Sequence, residues 1–183
     1  IDLADDLKPE RRNLDPETKA TVERTLEAYA KKMGERFYGS EKTIFGLDSV
    51  GGAYIMGPPA ATLPIVSHIY RSNLDNPEKA VSRLFKHFRK EGNRMLRELT
   101  EEVNAEIDGA SDVIEPDWVN NPNRQYKAPL SIHTKHPGVV TPIQTNDVSY
   151  EFTHIDDITD EHIKYSTQWA TELTDNKYRA CVK

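Results

Sequence analysis

The sequence predicts an α+β fold for this chain of 183 residues. Two long stretches carry apolar residues at helical spacing, and short apolar segments that suit strands lie between and after them. The two kinds of element follow one another irregularly, whereas a doubly wound parallel sheet needs a regular alternation. We divide the chain into a core over residues 1–143 and an acidic segment over residues 144–183 that packs on the core.

Three helices have clear beginnings in the sequence. Asp15 is a good capping residue and Pro16 suits the first helical position, so the first helix begins there and is ended by Gly39. The second helix begins after Asn76 and keeps an apolar stripe along its length. The last helix begins at Thr159.

Short apolar runs predict the strands. A turn at Gly51 and Gly52 separates the first two runs, because paired glycines readily adopt turn conformations. The predicted strands are residues 42–47, 53–56, 113–114 and 139–143.

Charge is distributed unevenly along the chain. The totals are 24 basic and 30 acidic side chains, a net charge of −6, which argues against a generally basic nucleic-acid coat. Residues 71–97 nevertheless hold eight basic and three acidic side chains, and residues 144–176 hold one basic and eight acidic. The chain therefore combines a basic surface with an acidic body.

Cysteine content and hydropathy indicate the compartment. Cys181 is the single cysteine, which excludes an internal disulfide framework and an all-cysteine zinc site. No apolar run approaches the ~20 residues of a membrane span. We expect a cytoplasmic protein without a membrane partner. The chain begins with Ile1 and not Met, so we also expect it to be incomplete at its N-terminus.

The N-terminus is acidic. Asp2, Asp5 and Asp6 place three carboxylates within five residues, and hard cations prefer such oxygen ligands. On a strand, alternate residues share a face, so an Asp-x-Asp pair presents two carboxylates together. Asp2 could be the second member of such a pair only with a residue before Ile1. A solvated acidic segment is the alternative interpretation.

A glycine-containing segment between two predicted strands could approach an anion. Ser49 is followed by Gly51 and Gly52, and backbone N–H groups without a nearby side chain can come close to a phosphate. A plain hairpin turn remains the alternative.

Residues 115–135 gather the most varied chemistry. If residues 127–133 are extended, as Pro129 favours, a lysine, a hydroxyl and an imidazole share one face. Such donors can hold a triphosphate, and Glu115 or Asp117 could complete a metal site. The three donors are Lys127, Ser131 and His133. An ordinary polar loop is the alternative.

The second predicted helix carries a basic stretch that could contact nucleic acid, although a solvated helix face is the alternative. The candidates are Arg83, Lys86, Arg89 and Lys90.

The segment from Arg124 to Lys135, continuing to residue 143, resembles the catalytic (small) subunit of archaeo-eukaryotic primases. That family carries an arginine, a basic residue, a proline and Ser-x-His, followed by a lysine and a strand that ends in proline. The corresponding residues here are Arg124, Lys127, Pro129, Ser131, His133, Lys135 and Pro142.

The resemblance extends to weaker motifs in the same order. It implies that Asp2 is the second aspartate of an Asp-x-Asp metal motif whose first aspartate lies before Ile1. It places the third metal-binding acid at Glu115, with Asp117 as the second choice. Ser49 to Tyr54 resembles the family's Ser-Gly-x-Gly-x-His nucleotide motif. The implied fold is a primase catalytic core with an RRM-like mixed sheet flanked by helices.

The implied activity is primer synthesis on single-stranded DNA from nucleoside triphosphates, by two-metal phosphoryl transfer with Mg²⁺ or Mn²⁺. Asp2, Glu115 and Asp117 would be the catalytic candidates, with the ions on Asp2 and Glu115. A primase large subunit or a replicative helicase would be a partner. The implied nucleotide-binding residues are Ser49, Gly51, Gly52, Tyr54, Arg124, Lys127, Ser131, His133 and Lys135.

Two departures from the family pattern matter. Tyr54 replaces the family's histidine and brings no positive charge, which leaves open a primase-like subunit that binds nucleotide or nucleic acid without catalysis. The cysteine cluster that binds zinc in many relatives is absent, so no zinc is expected. These departures indicate a divergent archaeal, viral or plasmid branch. An unrelated α+β regulatory domain is a third interpretation.

Overall fold

The computed structural model describes residues 1–38, 45–49, 52–56, 67–69, 71–72, 75–118, 128, 130–132, 137–143, 153–164 and 166–167. Its elements confirm the α+β class. In chain order they are β1 (Asp2–Leu3), α1 (Pro16–Tyr38), β2 (Phe45–Ser49), β3 (Gly52–Met56), α2 (Pro77–Glu106), α3 (Ala110–Val113), β4 (Ile114–Glu115), β5 (Thr141–Ile143) and a short 3₁₀ helix (Ile155–Asp157).

The strands form a five-stranded sheet in the spatial order β4-β1-β3-β2-β5. All four pairings in the described part of the chain are antiparallel, and no parallel pair of the predicted mixed sheet is among them. β1 and β2 run in the same direction, but they are not neighbours because β3 lies between them. One helix follows β1 and another follows β3, which is the split βαβ arrangement.

The core lies between one face of the sheet and the helices. Leu3, Ala53 and Ile114 come from three adjacent strands and are at most 4% exposed. They pack in one cluster with residues of the helices, namely Val22, Leu26, Ala28 and Tyr29 of α1, Leu99 and Val103 of α2, and Ala110 and Val113 of α3. Since successive strand residues point to opposite faces, their neighbours Asp2, Gly52 and Glu115 lie on the face away from the helices.

Polar contacts fix α1 against α2. The Tyr29 hydroxyl donates to Thr100 Oγ1 at 2.9 Å. Further along, Arg36 forms ion pairs with Glu98 at 3.0 Å and Glu102 at 2.5 Å. These contacts hold the two helices side by side, so that both support the same face of the sheet.

The predicted helix starts are confirmed by their capping bonds. The backbone N–H groups of Glu17 and Thr18 both donate to Asp15 Oδ1 at 3.0 Å. Asn76 Oδ1 accepts from the Lys79 N–H at 2.9 Å. At the last helix, the His162 N–H donates to Thr159 Oγ1 at 3.3 Å.

The strand boundaries differ slightly from the prediction. β2 begins at Phe45 and continues to Ser49, whereas the predicted strand ended at residue 47. Gly52 belongs to β3 and pairs with Ser49, so the connection is confined to residues 50 and 51, which lie outside the described residues. The division at residue 143 stays a prediction. In the part of the chain that the structure describes, no helix is both long and apolar enough to span a membrane.

The Asp15 cap predicts a pH-dependent contribution to stability. Hydrogen bonds from the Thr18 hydroxyl and from the Thr18 and Glu17 N–H groups hold the pKa of Asp15 below its usual range. The contribution of its charge is therefore present above pH ~4 and is lost as the pH falls through the lowered pKa. Asp15→Asn keeps a capping acceptor but removes the charge.

In thermal unfolding measured from pH 2 to pH 6, the wild-type chain should have a higher Tm than Asp15→Asn at pH 6. This difference in Tm should shrink as the pH falls toward 2. Glu101→Gln, on an exposed position of α2, controls for the loss of one surface charge. A gap that stays constant with pH would contradict the assignment of this contribution to the cap.

Candidate carboxylate site

Four strands bring residues of separate motifs into one row across the sheet. Glu115 of β4 lies opposite Asp2 of β1, Asp2 lies opposite Gly52 of β3, and Gly52 lies opposite Ser49 of β2. We call these four residues the site row. The row lies on the face of the sheet away from the helices, because the neighbours Leu3, Ala53 and Ile114 enter the core.

The site row places two carboxylates side by side. Residues directly opposite each other on antiparallel strands have their Cβ atoms about 4.5–5.5 Å apart, and like charges in such pairs are destabilising. Asp2 is half-buried and Glu115 is exposed. Such a pair is not stabilising by itself, so a cation or solvent has to balance its charge.

Gly52 is required by the close approach of β1. A Cβ atom built on Gly52 would lie 2.6 Å from Asp2 Cα and 2.9 Å from Asp2 Oδ1, and it would also strike the Ile1 carbonyl oxygen. The Ala53 N–H donates to that same carbonyl oxygen at 2.9 Å, which keeps the two strands together. Gly52 therefore makes room for the backbone and carboxylate of Asp2.

Lys8 is a cationic neighbour of this site that the sequence analysis missed. Its ammonium group is ion-paired with the Asp5 carboxylate, and the Asp5 N–H donates to Glu115 Oε1 at 3.3 Å. The hydrogen bond to Asp5, and then the negative charges of Asp5, Asp2 and Glu115, raise the pKa of Lys8 against the opposing effect of burial. The only local signal was the i, i+3 spacing of Asp5 and Lys8.

The donor set of the site suits a hard divalent cation. Mg²⁺ is commonly bound through one or two carboxylates, with waters and substrate phosphates completing its coordination. Asp2 and Glu115 supply two such carboxylates. Among the described residues, no group of three or more His, Cys, Asp or Glu side chains is placed to hold a metal ion. Asp117 is half-buried just beyond β4 and takes no part in the strand pairing.

Tyr54 lies on the same face as Gly52, two residues further along β3. It is half-buried and pairs across the hairpin with Leu47. The phenol replaces the histidine that the resemblance would place here. It can donate one hydrogen bond, but it adds no positive charge to the site.

The described residues of the segment 127–133 are not extended. The Ser131 N–H donates to the Ala128 carbonyl at 3.0 Å, which closes a turn, and Leu130 has a left-handed φ of 60°. The expectation that residues 127–133 are extended throughout is therefore wrong. The candidates that lie outside the described residues are Gly51, Arg124, Lys127, His133 and Lys135.

The turn continues into a β-bulge that includes Ser131. The Leu130 N–H donates to the Val140 carbonyl at 2.7 Å, and the Val140 N–H donates to the Ser131 carbonyl at 3.0 Å. Leu130 and Ser131 thus lie opposite the single residue Val140, which defines a β-bulge. Such bulges commonly re-aim a side chain near a functional site. The Ser131 hydroxyl is buried and has no hydrogen-bond partner among the described residues. A ligand could supply that partner.

The basic candidates lie on the first half of α2, where Arg83, Lys86, Arg89 and Lys90 are all exposed. Lys86 and Arg89 form no ion pair within the described part of the chain. Arg94, further along α2, is paired with Glu91 and Glu98 at its surface. The exposed positions are therefore suited to contact with an external anion.

Substituting Gly52 should disturb the site row. In Gly52→Ala, the new methyl group would force β1 away from β3, at a cost of about 1–3 kcal/mol in unfolding free energy. Gly92→Ala is the matched control, because alanine in the interior of α2 should stabilise by up to about 1 kcal/mol. Urea denaturation of both variants checks the two opposite signs. A Gly52→Ala protein as stable as the wild type would refute the close approach.

Comparison of the chain with family models, with curated proteins and with solved structures found no match. The resemblance to primases therefore depends on the motif from Arg124 to Lys135 and on the weaker motifs in the same order. What the chain does has to be inferred from its own residues and from their placement in the sheet.

Proposed function

We propose that this chain is the core of a DNA primase-like nucleotidyltransferase, which makes short primers on single-stranded DNA. The observation that carries the proposal is the pairing of Asp2 with Glu115 beside Gly52 and Ser49. The N-terminal Asp-x-Asp motif, the nucleotide motif that begins at Ser49, and the acid that precedes Arg124 contribute to this one row, although they are far apart in the sequence. A coincidental set of polar residues would not be expected to meet in register.

The sheet supports the same proposal. Its first four strands follow the chain order βαββαβ and the spatial order β4-β1-β3-β2, which is the arrangement of RRM-type sheets. The resemblance implies a primase core built on such a sheet. The carboxylates would then stand on the face away from the helices, where a nucleotide and a template strand can reach them.

Each part of the site has a role in the proposed reaction. Asp2 and Glu115 would hold Mg²⁺ or Mn²⁺, with Asp117 as the second choice for the third acid. When bound, the ions lower the pKa of the attacking 3′-hydroxyl and neutralise the triphosphate. The Ser131 hydroxyl would donate to the triphosphate. Further donors to the triphosphate would be Lys127, His133 and Lys135. Ser49 and Gly51 would lie near the phosphates. Arg124 would support the loop.

The exposed basic residues of α2 would bind the template. Cationic side chains contact the phosphates of single strands without regard to sequence, which a priming enzyme needs. A primase large subunit or a replicative helicase would be the protein partner of such a core.

Tyr54 supports a second candidate function. A subunit that binds nucleotide without catalysis needs no charged residue at this position, and the phenol can still hydrogen-bond or stack. The two candidates differ in one result: the non-catalytic subunit binds nucleoside triphosphate but makes no primer.

Primer synthesis by the full-length native protein tests the leading proposal. Labelled ribo- and deoxyribonucleoside triphosphates, Mn²⁺ and a single-stranded template should yield short products. Glu115→Ala and His133→Ala should each lower the rate at least about 100-fold, because a metal ligand and a triphosphate donor are lost. Glu101→Ala is the matched control on α2. Undiminished synthesis by both variants would refute the assignment of the site, and nucleotide binding without synthesis would favour the non-catalytic subunit.

Template binding makes a separate prediction. Removing two phosphate contacts in the double variant Lys86→Gln, Arg89→Gln should weaken binding to a labelled single-stranded oligonucleotide. The slope of log affinity against log salt should become shallower by about 1.4. Arg94→Gln should have a smaller effect, because this guanidinium is already paired with Glu91 at 3.0 Å. Fluorescence anisotropy across a salt series checks this, and an equal loss in Arg94→Gln would argue against a template surface here.

A further inference from the structure

We propose that Lys8 is a built-in counter-ion of the carboxylate site, which balances its charge when no divalent cation is bound and opposes cation binding by charge repulsion. The inference depends on the proposed metal role of Asp2 and Glu115. It goes beyond that role, because the primase resemblance assigns nothing to Lys8.

The chain folds back after β1 to bring Lys8 to the site. The N–H groups of Leu7 and Lys8 both donate to the Ala4 carbonyl, at 3.0 and 3.2 Å, so the backbone turns immediately beyond the strand. The Arg11 guanidinium donates to the Lys8 carbonyl and holds the far end of this turn. The position of Lys8 is thus determined by backbone hydrogen bonds and not by its side chain alone.

A short series of contacts connects Lys8 to the carboxylate pair. Its ammonium group is ion-paired with the Asp5 carboxylate. The N–H of Asp5 in turn donates to Glu115 Oε1 at 3.3 Å, and Glu115 lies opposite Asp2. Three carboxylates and one ammonium group therefore share one end of the sheet. The raised pKa of Lys8, to which all three carboxylates contribute, agrees with this arrangement.

The interaction is weak enough to be displaced. The Lys8 side chain is 30% exposed and that of Asp5 is 82% exposed, so water screens their ion pair. A lysine ammonium group has three donors and no acceptor, so it cannot share a position with a metal ion. A cation on Asp2 and Glu115 would repel Lys8, which can remain with the exposed Asp5 at the edge of the site.

This arrangement has two opposite consequences. Without a cation, Lys8 offsets the repulsion between the paired carboxylates of Asp2 and Glu115. With a cation, Lys8 opposes binding, because its own charge is of the same sign. Removal of the Lys8 charge should therefore destabilise the cation-free protein and strengthen cation binding, a combination that a purely structural lysine would not produce.

The test measures Mn²⁺ binding to the full-length native protein, by the loss of the electron paramagnetic resonance signal of free Mn²⁺. Lys8→Met and Lys8→Gln should each bind Mn²⁺ about fivefold to tenfold more tightly than the wild type. Lys8→Arg keeps the charge and should bind like the wild type. The matched control is Lys19→Met, which removes a lysine that lies 3.8 Å from Glu23 on α1. Glu115→Gln should lose the binding.

The outcomes separate the two proposals. Equal or weaker binding by Lys8→Met and Lys8→Gln, with the wild type binding Mn²⁺ at Glu115, would overturn the role of Lys8 and leave the proposed function standing. Absence of binding in every variant, or binding that survives Glu115→Gln, would overturn the metal role of Asp2 and Glu115 and with it both proposals. If Lys8→Met and Lys8→Gln are the variants that bind Mn²⁺ more tightly than the wild type, the role of Lys8 and the metal role of Asp2 and Glu115 are both supported.

Discussion

The insertion of β1 between β3 and β4 is the contact on which the rest of the structure depends. β1 has only two residues, yet each serves a different face of the sheet. Leu3 is fully buried against the helices, and Asp2 stands on the far face opposite Glu115. The contact is possible because residue 52 has no side chain, so β1 can approach β3 closely. Without β1, the β2–β3 hairpin and β4 would have no common neighbour.

The helices determine which face of the sheet can hold charge. α1 and α2 are joined by the Tyr29–Thr100 hydrogen bond and by the ion pairs of Arg36, and both cover the face that contains Leu3. Buried carboxylates on that face would lose their hydration at a high cost in free energy. The acidic residues therefore have to stand on the other face, where solvent, a metal ion or Lys8 can balance them.

The parts of the fold that could be predicted are those determined locally. The Asp15 and Asn76 caps act on backbone groups within three residues, so the helix starts are readable from the sequence. Strand pairing depends on contacts between distant segments, and no residues close to Asp2 in the sequence predict that it will pair with Glu115. The resemblance grouped these two acids, but only the fold shows their pairing. Lys8 was missed because a turn, and not a motif, brings it to the site.

The backbone conformation of Leu130 has a consequence for how stable the segment around Ser131 is on its own. Left-handed backbone costs a residue with a Cβ roughly 1–2 kcal/mol, so the turn at this leucine is not favoured in the isolated segment. It is held by its two hydrogen bonds with Val140. These two bonds couple the turn to the segment that leads into β5, so we expect the two to open together. A nucleotide that needed this turn closed would have its apparent affinity lowered by the fraction of molecules in which the turn is open.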